Sequence, residues 1–160
     1  MKYSKSEALA KLAAYCSQAE RSEYDVRRKT EKWELSPSVI NNIIDKLKKE
    51  NFLNEERYCS SFINDKTKFN RWGETKIRFE LKKKRISDAV INSCFADFEN
   101  EQFEIPLYEL LSSKVKSVKA DSSYERRAKL IRFAMGRGYR YDQINKVLQK
   151  MNIDGEEYPE

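Results

Sequence analysis

An all-α fold of three tandem three-helix units, helix-turn-helix-like and strung into an elongated, curved array, is what this sequence predicts, and three observations carry it. Apolar residues recur at helical spacing almost throughout. Only 4 Gly and 3 Pro interrupt 160 residues, few breakers for a chain of this length. The pattern also repeats. An offset of 51 places Ser22 on Gly73, Val26 on Ile77, Leu35 on Ile86, Ser36 on Ser87 and Ile40 on Ile91. A further offset of 53 places Ile77 on Leu130, Leu81 on Ala134, Arg85 on Gly138, Ile86 on Tyr139, Ile91 on Ile144 and Phe95 on Leu148. The units are therefore 1–53, 54–100 and 101–155, with a short polar tail at 156–160.

In the first unit, Ser4-x-x-Glu7 is a capping box, and Ala8, Leu9, Leu12, Ala13 and Cys16 give the helix after it a buried face up to about Glu20. Ser22-x-x-Asp25 is a second box, opening a helix with Val26 and Trp33 on one side. Ser36-Pro37 caps and starts a third, since proline fits the first helical turn, and Val39, Ile40, Ile43, Ile44 and Leu47 form its apolar stripe.

The second unit starts at Asn54 as N-cap, with Glu55 and Glu56 placing negative charge where the helix dipole favours it. Tyr58, Cys59, Phe62, Ile63 and Phe69 fall on its apolar face. A helix from about Gly73 has Ile77 and Leu81 as its spine, and Ser87 caps a third carrying Val90, Ile91, Cys94, Phe95 and Phe98. In the last unit, Leu107, Leu110, Leu111 and Val115 supply a first helix begun after Pro106, and Leu130, Ala134, Ile144 and Leu148 continue the register. Residues 98–102 and Lys116 to Asp121 are the expected flexible points. Units of about 50 residues bury a limited share of their surface, so packing against a neighbour is expected, and an end-to-end array suits a protein lying along a long groove.

Composition excludes several classes. There is no histidine, which removes the usual general base near neutral pH and the commonest metal ligand. No carboxylate pair is singled out by its spacing, and no Gly-rich loop cradles a phosphate. An enzyme is not expected, and no catalytic, cofactor-binding or metal-binding residue is assigned. No apolar run reaches the ~18 residues of a membrane span and no signal-peptide core opens the chain, so a cytoplasmic protein is expected. Cys16, Cys59 and Cys94 read as small buried hydrophobes in a reducing compartment.

The net charge is +6, spread thinly: +3 over 1–53, +2 over 54–100 and +1 from 101 onward. Positive charge clusters inside helices instead. Lys76, Arg78, Lys82, Lys83, Lys84 and Arg85 exceed what a helix C-terminus requires, and Arg71 and Trp72 beside them add a planar donor and an aromatic surface. Arg126, Arg127, Arg132, Arg137 and Arg140 form a second set, in which arginine favours specific pairing over mere solubility. Both sets are candidates for meeting a polyanion or an acidic protein face. Arg57, next to Glu55 and Glu56, reads instead as an intra-repeat ion pair, which when exposed contributes only ~0–1 kcal/mol.

The string Arg57-Tyr58-Cys59-Ser60-Ser61-Phe62-Ile63, the Trp72-Gly73 break, the Ile77 to Leu81 spacing and the run Lys82 to Ser87 resemble the second repeat of the RecX family, regulators of the RecA recombinase. Leu130-Ile131-Arg132-Phe133-Ala134 followed by Arg137-Gly138-Tyr139 resembles the family's third-repeat ending. Cys59 stands in the family's alanine position. Arg85 stands where the family tends to have glycine and where Gly138 is kept in the third repeat; a left-handed residue there costs ~1 kcal/mol without glycine, unless the helix runs on. The resemblance implies an elongated helical monomer that binds in the groove of the RecA–DNA filament and inhibits RecA's ATPase, strand exchange and SOS co-protease activities, with weak DNA binding as a lesser contact. The alternatives are a direct, basic helix-turn-helix-like DNA binder and a helical scaffold without nucleic-acid contact.

Overall fold

The computed structural model describes residues 3–98 and 100–153. The tail at 156–160 and Glu99 lie outside them. Among the described residues there are nine α-helices and no strand: α1 Lys5–Gln18, α2 Glu23–Lys29, α3 Pro37–Lys49, α4 Glu55–Lys68, α5 Glu74–Lys83, α6 Asp88–Ala96, α7 Glu101–Val115, α8 Ser123–Gly136 and α9 Tyr141–Lys150. None is long and apolar enough to cross a membrane. The chain divides into two compact units, Met1–Phe62 with Leu81–Cys94, and Ile63–Glu80 with Phe95–Glu160.

In the first compact unit the caps form as their spacing dictates. The Ser4 hydroxyl accepts from the Glu7 N–H while Glu7 accepts from the Ser4 N–H, and Ser22 and Asp25 repeat the exchange. Ser36 accepts from the Val39 N–H with Pro37 in the first turn. Those starts aim Ala8, Leu12 and Cys16 of α1, Val26 of α2, and Ile43, Ile44 and Leu47 of α3 into one core. Trp33 packs at its edge, its ring 4.9 Å from that of Tyr3.

Arg57 departs from expectation. Its guanidinium reaches Glu20 (2.8 Å), not Glu55 or Glu56, and also donates to the Asn51 and Phe52 carbonyls beyond α3. It thereby ties the end of α3 to the α1–α2 connection, which local charge spacing does not specify. Cys16 and Cys59 are buried, burial pushing the Cys16 thiol up, but Cys94 is only half-buried, 3.6 Å from the Ser60 hydroxyl and the Glu56 carbonyl.

In the second compact unit α7, α8 and α9 pack on one another through Leu107, Leu111, Leu130, Ala134, Ile144 and Leu148. Phe103 joins Phe95, Phe98 and Tyr139 in an aromatic cluster with centroids 4.8–6.4 Å apart. Two expectations fail here. Helix α7 begins at Glu101, so Pro106 lies inside it as its sixth residue; buried Phe103 anchors the additional turn, and the proline contributes no N–H to the second turn. Phe69 is 71% exposed, because the buried face of α4 runs through Ile63 and Thr67 and the helix ends at Lys68. On a 100° wheel Phe69 lies at that face's margin, past the last supporting turn.

Helix ends share one device. Arg85 (φ 60°) and Gly138 (φ 100°) are left-handed, and the residues after them, Ile86 and Tyr139, donate back to the carbonyls of Leu81 and Ala134. Asn51 and Asn152 close α3 and α9 in the same way. Arg85 therefore does take the glycine conformation, and the helix does not run on. Glu34, at the matching place in the first repeat, is also left-handed (φ 58°).

Candidate partner-binding surfaces

The first basic set is divided between the compact units, with Lys82, Lys83, Lys84 and Arg85 in the first and Arg71, Trp72, Lys76 and Arg78 in the second, which also holds the whole of the other set. In the second unit the turn between α4 and α5 is held by backbone. The Gly73 N–H donates to the Arg137 carbonyl (2.8 Å), and the Thr75 N–H to that of Gly138 (3.1 Å). These donors are the unpaired first-turn groups of α5, and the acceptors are the carbonyls just beyond α8, so two helix ends of opposite partial charge satisfy each other. In the first repeat the same job at α2 is done by the Ser22 side chain; Gly73, its repeat counterpart, has none.

That junction presents Arg71, Trp72 and Lys76 beside Arg137. The Trp72 ring has the Lys66 ammonium 4.9 Å and the Lys76 ammonium 4.8 Å from its centroid, within cation–π range. Arg71 is left-handed (φ 54°), its carbonyl accepts from the buried Tyr139 hydroxyl (2.9 Å), and its guanidinium reaches Glu109 (3.1 Å). Burial pushes the Tyr139 phenol well above its ordinary range, so it stays a neutral donor to that carbonyl. Lys66 is absent from the sequence-derived set; its signal is its place in the last turn of α4, where the chain doubles back so that the Trp72 N–H meets the Lys66 carbonyl (3.0 Å).

The remaining cations of this unit are distributed. Arg78 pairs with Glu74 (3.1 Å) and lies 4.5 Å over the Phe95 ring, so it is engaged by the fold. Arg127 donates to Asn145 of α9. Arg137 and Lys114 both lie 4.7 Å over Phe133. Arg140 meets Asp142 (3.3 Å). Arg126 and Arg132 are exposed. Phe79 is 61% exposed on α5, a large apolar side chain that helical spacing alone does not single out.

In the first unit Lys84 is an internal partner of Asp25, at 2.5 Å. Lys82 pairs with Asp88 in the open (3.3 Å) and Lys83 is exposed. Lys84, Arg85 and Arg28 surround the ring of Tyr24, at 5.6, 5.7 and 5.8 Å. Tyr24 and Arg28 are also absent from the sequence-derived set; a tyrosine inside a capping box carries no separate signature.

The chain as a whole is similar to known proteins. Residues 54–94 match the family model for the second three-helix domain of RecX and residues 107–148 that for the third. Regulatory protein RecX of Vibrio campbellii is 33% identical over 111 residues, covering 69% of this chain and 67% of the relative. That of Clostridium acetobutylicum is 27% identical over 153 residues, covering 93% and 69%. That of Clostridium botulinum is 32% identical over 132 residues, covering 81% of this chain; the chain spans only 61% of that relative's length. The crystal structure of RecX from Lactobacillus salivarius superposes with a TM-score of 0.82 at 20% identity, covering 94% of this chain and 97% of that one.

Proposed function

The chain belongs to the RecX family of regulatory proteins, and on that premise we propose that it binds the RecA–DNA filament in the cytoplasm and inhibits RecA's ATPase, strand exchange and SOS co-protease activities, thereby regulating DNA repair and recombination. We read the chain as three repeats, 1–53, 54–100 and 101–155, acting as a monomer without catalysis of its own. The mechanism is occupancy: several small contacts along the filament add up through avidity and bias it against its active, growing state.

The observation that carries this reading is the junction of Trp72 with Lys66 and Lys76, braced from behind by Gly73, Gly138 and Tyr139. A braced aromatic ringed by cations is the composition of an interface hot spot, because little conformational entropy remains to be lost on binding. Arg71, Arg137 and the Lys82–Lys83 pair add contacts of the same sign.

The test is the steady-state ATPase rate of RecA on single-stranded DNA, titrated with this protein with and without excess bare DNA. Inhibition at substoichiometric protein that survives the excess DNA is the expected outcome. Inhibition that vanishes with excess DNA would instead move direct DNA binding ahead, and no inhibition at all would discard the filament reading.

A further inference from the structure

The cleft around Tyr24 asks for a ligand of its own. Arg85 carries a full side chain in a left-handed conformation where the third repeat has Gly138. Backbone strain alone does not make this functional, since Glu34 adopts the same conformation at the matching place. What sets Arg85 apart is the company its side chain keeps. Its guanidinium, that of Arg28 and the Lys84 ammonium lie within 6 Å of one phenol ring. Three like charges gathered there repel one another unless anions compensate them.

Two of the three are compensated inside the fold. Lys84 is paired with Asp25. Arg28 donates to the Tyr24 hydroxyl (3.2 Å), and Glu31 adds a favourable charge nearby. Arg85, exposed, has the ring face but no carboxylate among the described residues. The Tyr24 phenol is held below its ordinary value, first by the Arg28 hydrogen bond and then, against a smaller opposing effect of desolvation, by the charges of Arg28, Arg85 and Lys84.

The lining of the cleft selects the occupant. Its volume is about 210 Å³, below the ~300–1,000 Å³ typical of small-molecule pockets, so it suits side chains. Glu23, Glu31 and Glu55 line it together with Arg27, Arg28, Lys84 and Arg85, Glu23 pairing with Arg27 (3.8 Å). A phosphodiester strand drawn through would meet those three carboxylates. A polypeptide places single charges where they are wanted.

We propose that this cleft captures a single aspartate or glutamate side chain from an extended segment of a partner protein, with Arg85 as its bidentate ligand and Arg28 as the second cation. This deepens the reading of the basic run after α5 as a partner surface and rests on it. The planar fork of Arg85, backed by the Tyr24 ring, matches a carboxylate with two parallel N–H···O bonds.

The experiment is fluorescence anisotropy of a fluorescein-labelled hexapeptide with one glutamate among serine and glycine residues, titrated with the full chain, alongside a labelled oligothymidine. Arg85→Gly is the informative variant, because it relieves the backbone while removing the ligand; its melting temperature should equal or exceed that of the parent. Peptide affinity is expected to fall about tenfold, with Arg85→Lys intermediate and the charge-matched surface control Lys5→Gln changing it less than about twofold. A loss no larger than the control's would overturn the proposal. So would an equal loss for the oligothymidine, which would assign the cleft to nucleic acid. RecA is absent from this assay, so the cleft can fail while filament inhibition stands, and the reverse.

Discussion

Replacing Gly73 by alanine is expected to lower the unfolding free energy by about 3–5 kcal/mol and the melting temperature by roughly 10 °C, followed by far-UV circular dichroism against heat and urea. A β-carbon at Gly73 would sit 2.4 Å from the Gly138 carbonyl oxygen and 2.5 Å from its carbon. No side-chain rotation relieves that contact, because both atoms are backbone. The approach is reciprocal: a β-carbon at Gly138 would meet the Lys76 backbone nitrogen at 2.6 Å. Moving the two turns apart breaks the bonds from Gly73 to Arg137 and from Thr75 to Gly138, each contributing about 1 kcal/mol, on top of an overpacking cost of about 1–3 kcal/mol. Gly136 is the internal control. A β-carbon there meets nothing within 4 Å and the residue is helical, so Gly136→Ala should gain up to about 1 kcal/mol. If the two alanines behaved alike, the close approach would not be what holds the α4–α5 turn.

That contrast marks where sequence reasoning stops. Helical spacing brought out the all-α fold, the serine caps and the buried positions Val26, Ile77 and Leu130, because a helix repeats its inward face every 3.6 residues and a cap lies within one turn of its partner. The glycine at the repeat's serine position was visible too, as a break. Its partner, 64 residues on, was not, since spacing within an element says nothing of which distant turn will lie against it. The same limit explains Arg57, whose carboxylate is Glu20 in place of its neighbours Glu55 and Glu56, and Lys84, whose partner Asp25 lies in another helix. Phe69 and Pro106 failed for a second reason: periodicity gives a direction around a helix but not where along it the supporting neighbour begins or ends. For the basic surfaces, the list of cations was legible while their state of pairing was not. Arg78, Lys84 and Arg127 are drawn into the fold, whereas Lys66, Arg28 and Tyr24 enter the surfaces only through geometry.

Reversing charge at Lys84 is therefore expected to act on stability more than reversal at Lys82 and Lys83 does. The Asp25 side chain is only 15% exposed, and it takes both the Lys84 ammonium and the Ser22 N–H of the α2 capping box. Lys84→Glu sets two carboxylates against each other there. Removing one partner of a buried pair costs about 3–5 kcal/mol, and the partial exposure of Lys84 brings the expected loss to about 2–3 kcal/mol. Lys82→Glu with Lys83→Glu, both exposed, should cost no more than about 1 kcal/mol, the open Lys82–Asp88 pair being part of that loss. Acidity supplies the diagnostic. Burial raises the Asp25 pKa, but the hydrogen bond and charge of Lys84, with the bonds to Ser22, outweigh it and hold the carboxyl below its ordinary value. A depressed folded pKa contributes stability that is present above the unfolded pKa, near 3.9, and lost as pH falls through the folded value. In Lys84→Glu the lowering partner is gone and burial dominates, so protonation of Asp25 relieves the variant first. The gap between parent and variant in urea midpoint should be widest near pH 7 and narrow steadily below about pH 5. A gap independent of pH would place the loss elsewhere than in the Asp25 pair. With the pair confirmed, any weakening of partner binding by a triple reversal of Lys82, Lys83 and Lys84 could arise from a damaged α2 start, so the basic run is properly interrogated at Lys82, Lys83 and Arg85, where the charge can be changed and the fold kept.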